Sequence, residues 1–327
     1  MTFWSVFRNS DVHLIIQNLK KIHISAICIS MVLVILYFFF QGLYMKYVLH
    51  SLHENITIKR GMFYSIVEFF FSAITPSSTG GQPIQLIYMT KDKIPMRKSL
   101  ITLMLNTMIF KLFFIVFGLI IVCIDPDGIL KISSSVKMLF WLGLLMDGIV
   151  ILVCYCMMFN QKLIHEFLYL GNKIVSKVTK GRRDYSDKID VAMEDYMQEA
   201  KYVRSHRMEV FLSIVITFIQ RICLFSIVYV IYRELGFSAS SYFEMLSLQI
   251  VAQITIEGLP LPGGVGALET ISDILYEPTF GKLAISGMVL NRTLSFYIPL
   301  VVSFIIIFVV TDMNYKKLIK KKKLNSN

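Results

Sequence analysis

The sequence predicts an all-α polytopic transmembrane bundle of about seven to eight spans, with two interrupted or re-entrant helices and a two-fold internal repeat. Three observations carry this expectation. Of 327 residues, 55% are hydrophobic and only 17% charged, with a mean hydropathy of +0.64, whereas soluble domains carry about 25% charged residues. The apolar residues arrive in long blocks, several reaching the roughly 20 residues that cross a hydrocarbon core of about 30 Å. Two of the blocks break off at dense clusters of Pro and Gly.

The elements follow in chain order. The first block, Ile24 to Phe40, is long and has no small-residue cleavage pattern, so it reads as a mature membrane helix and not a signal peptide. Spans are expected near 22–48, 60–78, 98–124 and 136–159, which form a first half over 1–159. A polar connector over 160–207 holds ten Lys or Arg and seven Asp or Glu. Within it, Met193, Tyr196 and Val203 recur at helical spacing, as in a helix lying on the membrane surface or in a solvated linker helix. The second half, 208–312, offers spans near 208–233, 240–258 and 282–312 and a short apolar segment at 265–277. A tail over 313–327 contains six Lys.

Charge sets the expected orientation. The Lys-rich tail, the connector and Arg8, Lys20 and Lys21 predict that both termini and the connector are cytoplasmic. Lys91, Lys93, Arg97 and Lys98 are then expected inside, and Asp125-Pro126-Asp127-Gly128 forms an outside turn. Three crossings in the second half leave an odd number, so the segment at 265–277 is expected to reverse the chain within the membrane.

The breaks stand at matching places in the two halves. Thr75-Pro76-Ser77-Ser78-Thr79-Gly80-Gly81-Gln82-Pro83 interrupts the first, and Glu257-Gly258-Leu259-Pro260-Leu261-Pro262-Gly263-Gly264-Val265-Gly266 the second. Open backbone at membrane depth is tolerated only where protein or a water-filled cavity satisfies it. Paired interruptions of this kind point to a transporter's substrate site. Helices starting after Gly81 and Gly266 would aim backbone N–H groups and positive dipole ends inward, as suits an anion such as a lipid phosphate. Ser77, Ser78 and Thr79 add hydroxyl donors. Two ordinary cytoplasmic turns are the alternative.

Charged residues inside apolar blocks cost at least about 2.5–3.5 kcal/mol each on insertion scales. The candidates are Glu68, Lys111, Asp147, Arg221, Glu257, Glu269 and Arg292. Lys111 and Asp147 could pair with each other or sit near water, in a structural or interfacial role. Arg221 and Arg292 each require a Glu partner or an anionic ligand. The five cysteines all fall in apolar blocks without metal-ligand spacing, so no metal or disulfide role is expected. No phosphate-binding, zinc-protease or serine-hydrolase motif occurs. No catalytic residue and no cofactor is therefore assigned. The net charge of +11 suits anionic headgroups, and no nucleic-acid partner is expected.

Pro262-Gly263-Gly264-Val265-Gly266-Ala267-Leu268-Glu269 resembles the PGGxGxxE signature of the lysylphosphatidylglycerol synthase transmembrane, flippase-like family. The 75–83 segment resembles its earlier TPxxxGGxP element, and Arg292-Thr293-Leu294 leading into Tyr297-Ile298-Pro299 its last span. One departure is Gln82, where many members carry an acidic residue. The resemblance implies a bacterial plasma-membrane protein related to the membrane half of multiple peptide resistance factors. That half is similar to a flippase for aminoacylated phosphatidylglycerol, while a separate soluble domain transfers lysine from tRNA. The implied site residues are Pro76, Gly80, Gly81, Pro262, Gly263, Gly264, Glu269 and Arg292.

The combined expectation is a protein that translocates or binds an anionic or aminoacylated phospholipid. Its substrate-binding set is Pro76, Ser77, Ser78, Thr79, Gly80, Gly81, Arg221, Glu257, Pro262, Gly263, Gly264, Glu269 and Arg292. Phosphatidylglycerol lysyltransferase activity is an alternative, disfavoured because a soluble acyltransferase domain is not expected after the last span. A scaffold for a separate lipid synthase is another, and self-association is left open.

Overall fold

The apolar blocks fold as helices because a backbone in hydrocarbon must satisfy its own hydrogen bonds. A computed structural model describes residues 23–75, 80–124, 134–160, 162, 166, 169, 196–201, 203, 205–257 and 267–324, with the backbone alone at 135, 257, 267–273 and 312–324. Among the described residues there is no strand. Among them five apolar stretches are long enough to cross a membrane by length and composition.

Helix α1 (Ile24–Ser51) is followed by α2 (Ile58–Ile74), α3 (Gly81–Lys91), α4 (Met96–Ile124) and α5 (Ser134–Phe159). Residues His53 and Lys93 turn the chain with φ of 62° and 67°, a left-handed conformation that ends helices. Thr57 caps α2 by accepting from the Arg60 N–H at 3.2 Å.

The pairings across these helices fix their direction. Lys98 pairs with Glu54 at 2.9 Å, Tyr44 donates to the Thr102 carbonyl at 2.9 Å, and Gln41 donates to Asn106 at 3.1 Å. Helices α1 and α4 are therefore antiparallel, and the end of α1 and the start of α4 share one face. Arg60 and Tyr64, near the start of α2, both bond Asp92, just after α3. At the other end, a Cβ added to Gly81 would stand 2.0 Å from Ser72 Oγ and 2.6 Å from the Glu68 carbonyl. Helices α2 and α3 thus form a hairpin with both open ends on one face and the tip inside the bundle. The crossing expected at 60–78 is one arm of this hairpin. Hydropathy reports that a segment is buried in lipid, not whether the chain leaves on the side it entered.

The second half begins with a kinked span. Helices α6 (Arg207–Phe225) and α7 (Ile227–Glu234) run as one kinked span beside α1. Arg221 against Tyr37 and Glu234 bonded to His23 set the two antiparallel. Gly236, at φ 88°, ends α7. Helix α8 (Tyr242–Glu257) then enters the bundle and α9 (Ala267–Phe280) returns. Tyr276 of α9 donates to Gln249 of α8 at 2.7 Å, and Phe280 packs on Tyr232 and Phe237 before α8 begins. The reversal expected at 265–277 is present as this second hairpin.

Gly281, at φ 52°, turns the chain into α10 (Ala284–Arg292), a π-helical turn (Thr293–Tyr297) and α11 (Ile298–Leu324). Tyr88 and Thr311 meet at 3.2 Å, so α11 runs toward the face bearing Lys91, Lys93, Arg97 and Lys98. This basic face also receives the connector. Glu199 lies 3.7 Å from Lys98, and Tyr196, Ala200 and Val203 are buried, with Tyr196 reaching Met104 and Met157. The described residues 196–201 and 203 of the connector pack against the bundle. His23 begins the described chain on the far face; the expected cytoplasmic N-terminus falls on residues 1–22, outside the described residues, as does the turn at 125–128.

Candidate functional site

Arg221 sits near the middle of its span because α6 and α7 continue without a break in apolarity on either side of it. Its guanidinium carbon lies 3.7 Å from the Phe110 ring centre and 5.5 Å from that of Tyr37. Glu68 on the first hairpin interacts with it electrostatically. Glu68 also accepts from Ser72 at 3.1 Å. Stacking and a nearby carboxylate make a mid-membrane guanidinium tolerable.

Hairpin geometry brings Gly81 to this carboxylate. The close approach of α3 to Ser72 and Glu68 leaves no room for a side chain at position 81. Helix α3 begins at Gly81, the start that the sequence suggests, and its N-terminus is aimed into the bundle. The Gly80 N–H is taken by Thr75 Oγ1 at 2.9 Å, and Thr75 in turn donates to the Phe71 carbonyl. Gln82 binds Thr107 of α4 at 2.6 Å, so a neutral residue here docks the hairpin tip.

Arg292 ends α10, directly before the π-helical turn, a distortion frequent at functional sites. Its guanidinium carbon lies 5.3 Å from the Phe296 ring centre. An aromatic ladder then joins the two arginines. Phe296 contacts Phe69 at 5.8 Å, Phe69 contacts Phe38 at 5.6 Å, and Phe38 contacts Tyr37 at 5.1 Å. Beside Arg292, Asn291 donates to both Gln249 and Tyr276, linking the second hairpin to the same level.

Of the sequence-predicted residues, Arg221 and Arg292 are joined by aromatic contacts, and Gly80 and Gly81 pack on Thr75, Ser72 and the Glu68 carbonyl. Glu257 ends α8 and Glu269 lies in the first turn of α9, so both flank the tip of the second hairpin. Pro76, Ser77, Ser78, Thr79, Pro262, Gly263 and Gly264 lie outside the described residues. Sequence reasoning missed Tyr37 and Phe110, which lie against Arg221, and the buried amides Gln41, bonded to Asn106, and Gln220. Amides inside long apolar runs were the available signal. Lys111 and Asp147, expected as a structural pair, form an ion pair at 2.8 Å. Among the described residues no cluster of His, Cys, Asp or Glu could hold a metal.

The family described as the lysylphosphatidylglycerol synthase TM region matches residues 1–303 of this chain. The chain belongs to this family. No curated protein matches it. The match covers both hairpins, both arginines and the π-helical turn, so the site is built from elements within the family region.

Proposed function

We propose that this family member is a flippase-like protein that binds and translocates an anionic or aminoacylated phospholipid, of the lysylphosphatidylglycerol kind, in a bacterial plasma membrane. The observation that carries the reading is the pair of mid-bundle arginines, Arg221 and Arg292, joined by the aromatic ladder at the first hairpin's tip. A phosphodiester is recognised by guanidinium groups, and a rigid aromatic wall excludes water around it. The α3 N-terminus adds a positive dipole end. From their sequence pattern alone, the proposed binding set also includes Pro76, Ser77, Ser78, Thr79, Glu257, Pro262, Gly263, Gly264 and Glu269.

The architecture supports the same reading. We take α1 to α4 and α6 to α11 as inverted repeats, each a span, a hairpin and a span, with the hairpins opening to opposite faces. Inverted repeats with broken helices at the midplane allow a site to face either leaflet in turn. The basic face is assigned to the cytoplasm by the positive-inside rule, which places the end of α11 there.

Reconstituted protein in vesicles with fluorescent phosphatidylglycerol or its lysyl derivative tests the proposal. Lipid movement faster than in empty vesicles, and lost in Arg292→Ala, is expected. Movement no faster than in empty vesicles for either lipid overturns it.

A further inference from the structure

Arg221 and Glu68 act on each other without touching. The carboxylate reaches the guanidinium through space, and among the described residues neither forms a contact ion pair. Tyr37 and Phe110 hold the plane of Arg221, yet its buried Nε has no hydrogen-bond partner. Glu68 has one hydrogen bond, accepted from Ser72 at 3.1 Å. Both side chains are only partly buried although they lie along the middle of their helices. Two opposite charges inside a bundle, each incompletely satisfied, leave room for a third group.

The charges around Glu68 are few. Helix α1 presents Tyr37, which both Glu68 and Arg221 reach electrostatically. Helix α3 presents Gly81, and its titratable Tyr88 and Lys91 belong to the open end of the hairpin, where Arg60 and Tyr64 meet Asp92. The described side chains of α11 include no titratable group. Arg292 lies over Phe296, whose ring meets Phe69. Lys111, near the Phe110 ring, is neutralised by Asp147 at 2.8 Å. Glu68 is therefore the described carboxylate that compensates Arg221.

Arg221 and Glu68 together carry no net charge. A phosphodiester received by Arg221 would place two anions around one guanidinium, where uncompensated charge is costly. Two anionic groups that share a site resolve the conflict when one of them takes up a proton. The carboxylate is the stronger base of the two. We propose that Glu68 is a proton-binding site coupled to lipid, so that each anionic headgroup received by Arg221 is accompanied by one proton. The inference rests on the lipid-translocating reading above and names the co-substrate of that same site. The proton comes from water on the side where the lipid enters. It returns to water on the other side when the lipid leaves and Arg221 again needs its counter-ion, so no net charge crosses the membrane.

Calorimetry on the full-length protein in detergent, titrated with dihexanoyl phosphatidylglycerol at neutral pH in buffers of different ionisation enthalpy, reads the protons exchanged per lipid. Uptake of about one proton is expected, with affinity falling by up to about tenfold per unit rise in pH. Dihexanoyl phosphatidylcholine, which has no net charge, exchanges none. Glu68→Gln keeps the shape and the acceptor for Ser72, and is expected to bind phosphatidylglycerol without proton uptake and without the pH dependence. Glu68→Asp restores both. Phosphatidylglycerol binding without proton exchange in the unmodified protein, or undiminished uptake in Glu68→Gln, overturns the coupling and leaves the lipid reading standing. Absence of both phosphatidylglycerol binding and lipid movement in the unmodified protein refutes that reading and the coupling with it.

Discussion

Arg221 lies across the face of Phe110, with its guanidinium carbon 3.7 Å from the ring centre. Stacking engages the plane of a guanidinium and leaves its donors, which point outward along its edges, available for hydrogen bonding. The contact thus fixes the cation in a low-dielectric layer while preserving its ability to receive an oxyanion. A lysine ammonium has no such plane. Arg221→Lys is expected to retain only part of the rate of phosphatidylglycerol movement. Arg221→Ala should reduce that rate about tenfold or more, as befits a charge-assisted hydrogen bond worth about 1.5–3 kcal/mol. Initial rates in proteoliposomes, normalised to reconstituted protein, read this directly.

Glu68 offsets part of the Arg221 charge, and each is the other's compensation in a poorly solvated layer. Removing either strands its partner; removing both strands neither. Glu68→Ala and Arg221→Ala are expected each to lower the thermal unfolding midpoint, with the double variant less affected than the sum. The coupling should fall in the range of about 0.5–3 kcal/mol found for interacting neighbours. Strict additivity in the double-mutant cycle would show that the two do not act as a pair.

At the hairpin tip, the atom nearest a Cβ on Gly81 is Ser72 Oγ, at 2.0 Å, and the next is the Glu68 carbonyl, at 2.6 Å. A side chain at 81 has to push α2 and α3 apart. Overpacking of this kind typically costs about 1–3 kcal/mol. Gly81→Ala is expected to destabilise the protein by that amount, and Ser72→Ala to relieve it only in part, because the backbone carbonyl remains. Complete rescue by Ser72→Ala would mean that the helices are not closely packed at this point.

The sequence exposes some of this arrangement and hides the rest. Breaks at 75–83 and 257–266 were visible because clustered Pro and Gly interrupt helices; α3 starts at Gly81 within the first, and α9 starts at Ala267 directly after the second. Lys111 and Asp147 were visible as a pair because two opposite charges in hydrocarbon have few other partners. The turn-back of α2 into α3 was hidden. It depends on Arg60 and Tyr64 meeting Asp92, a contact between residues about thirty positions apart that no local pattern encodes. The ladder from Tyr37 to Phe296 was hidden for a related reason: phenylalanines in a membrane helix look alike whether they face lipid, core or site.

Lys111 and Asp147 are 2.8 Å apart, and the Asp147 side chain is only 2% exposed. The pair bridges α4 and α5, with the Lys111 ammonium 5.3 Å from the centre of the Phe110 ring that Arg221 also covers, and we assign it to holding the two spans together. Breaking a buried pair by removing one partner costs about 3–5 kcal/mol, while replacing both by apolar residues is often neutral. Asp147→Ala is expected to lower the unfolding midpoint strongly, and Lys111→Met with Asp147→Leu to restore most of it. Lipid movement by the double variant should stay near that of the unmodified protein. A severe transport loss in a double variant of normal stability would move this pair from scaffold to mechanism.

The hairpin direction makes a prediction that separates it from a crossing helix. If α2 crossed the membrane, residues on either side of the first break would lie in different compartments. Instead, Glu54 with Lys98 and Arg60 with Asp92 place the end of α1, both ends of the hairpin and the start of α4 on one face. Five native cysteines, all free among the described residues, are first replaced by Ala or Ser. Single cysteines are then introduced at His53, Lys93 and Ser205 on the basic face, and at Gly236 and Lys282 on the far face. In oriented vesicles, a membrane-impermeant maleimide is expected to label the first three from one side and the last two from the other. Labelling of His53 and Lys93 from opposite sides would reinstate α2 as a crossing span. It would also remove the first hairpin from the site, because Gly81 could then no longer meet Ser72 and Glu68 at a common depth.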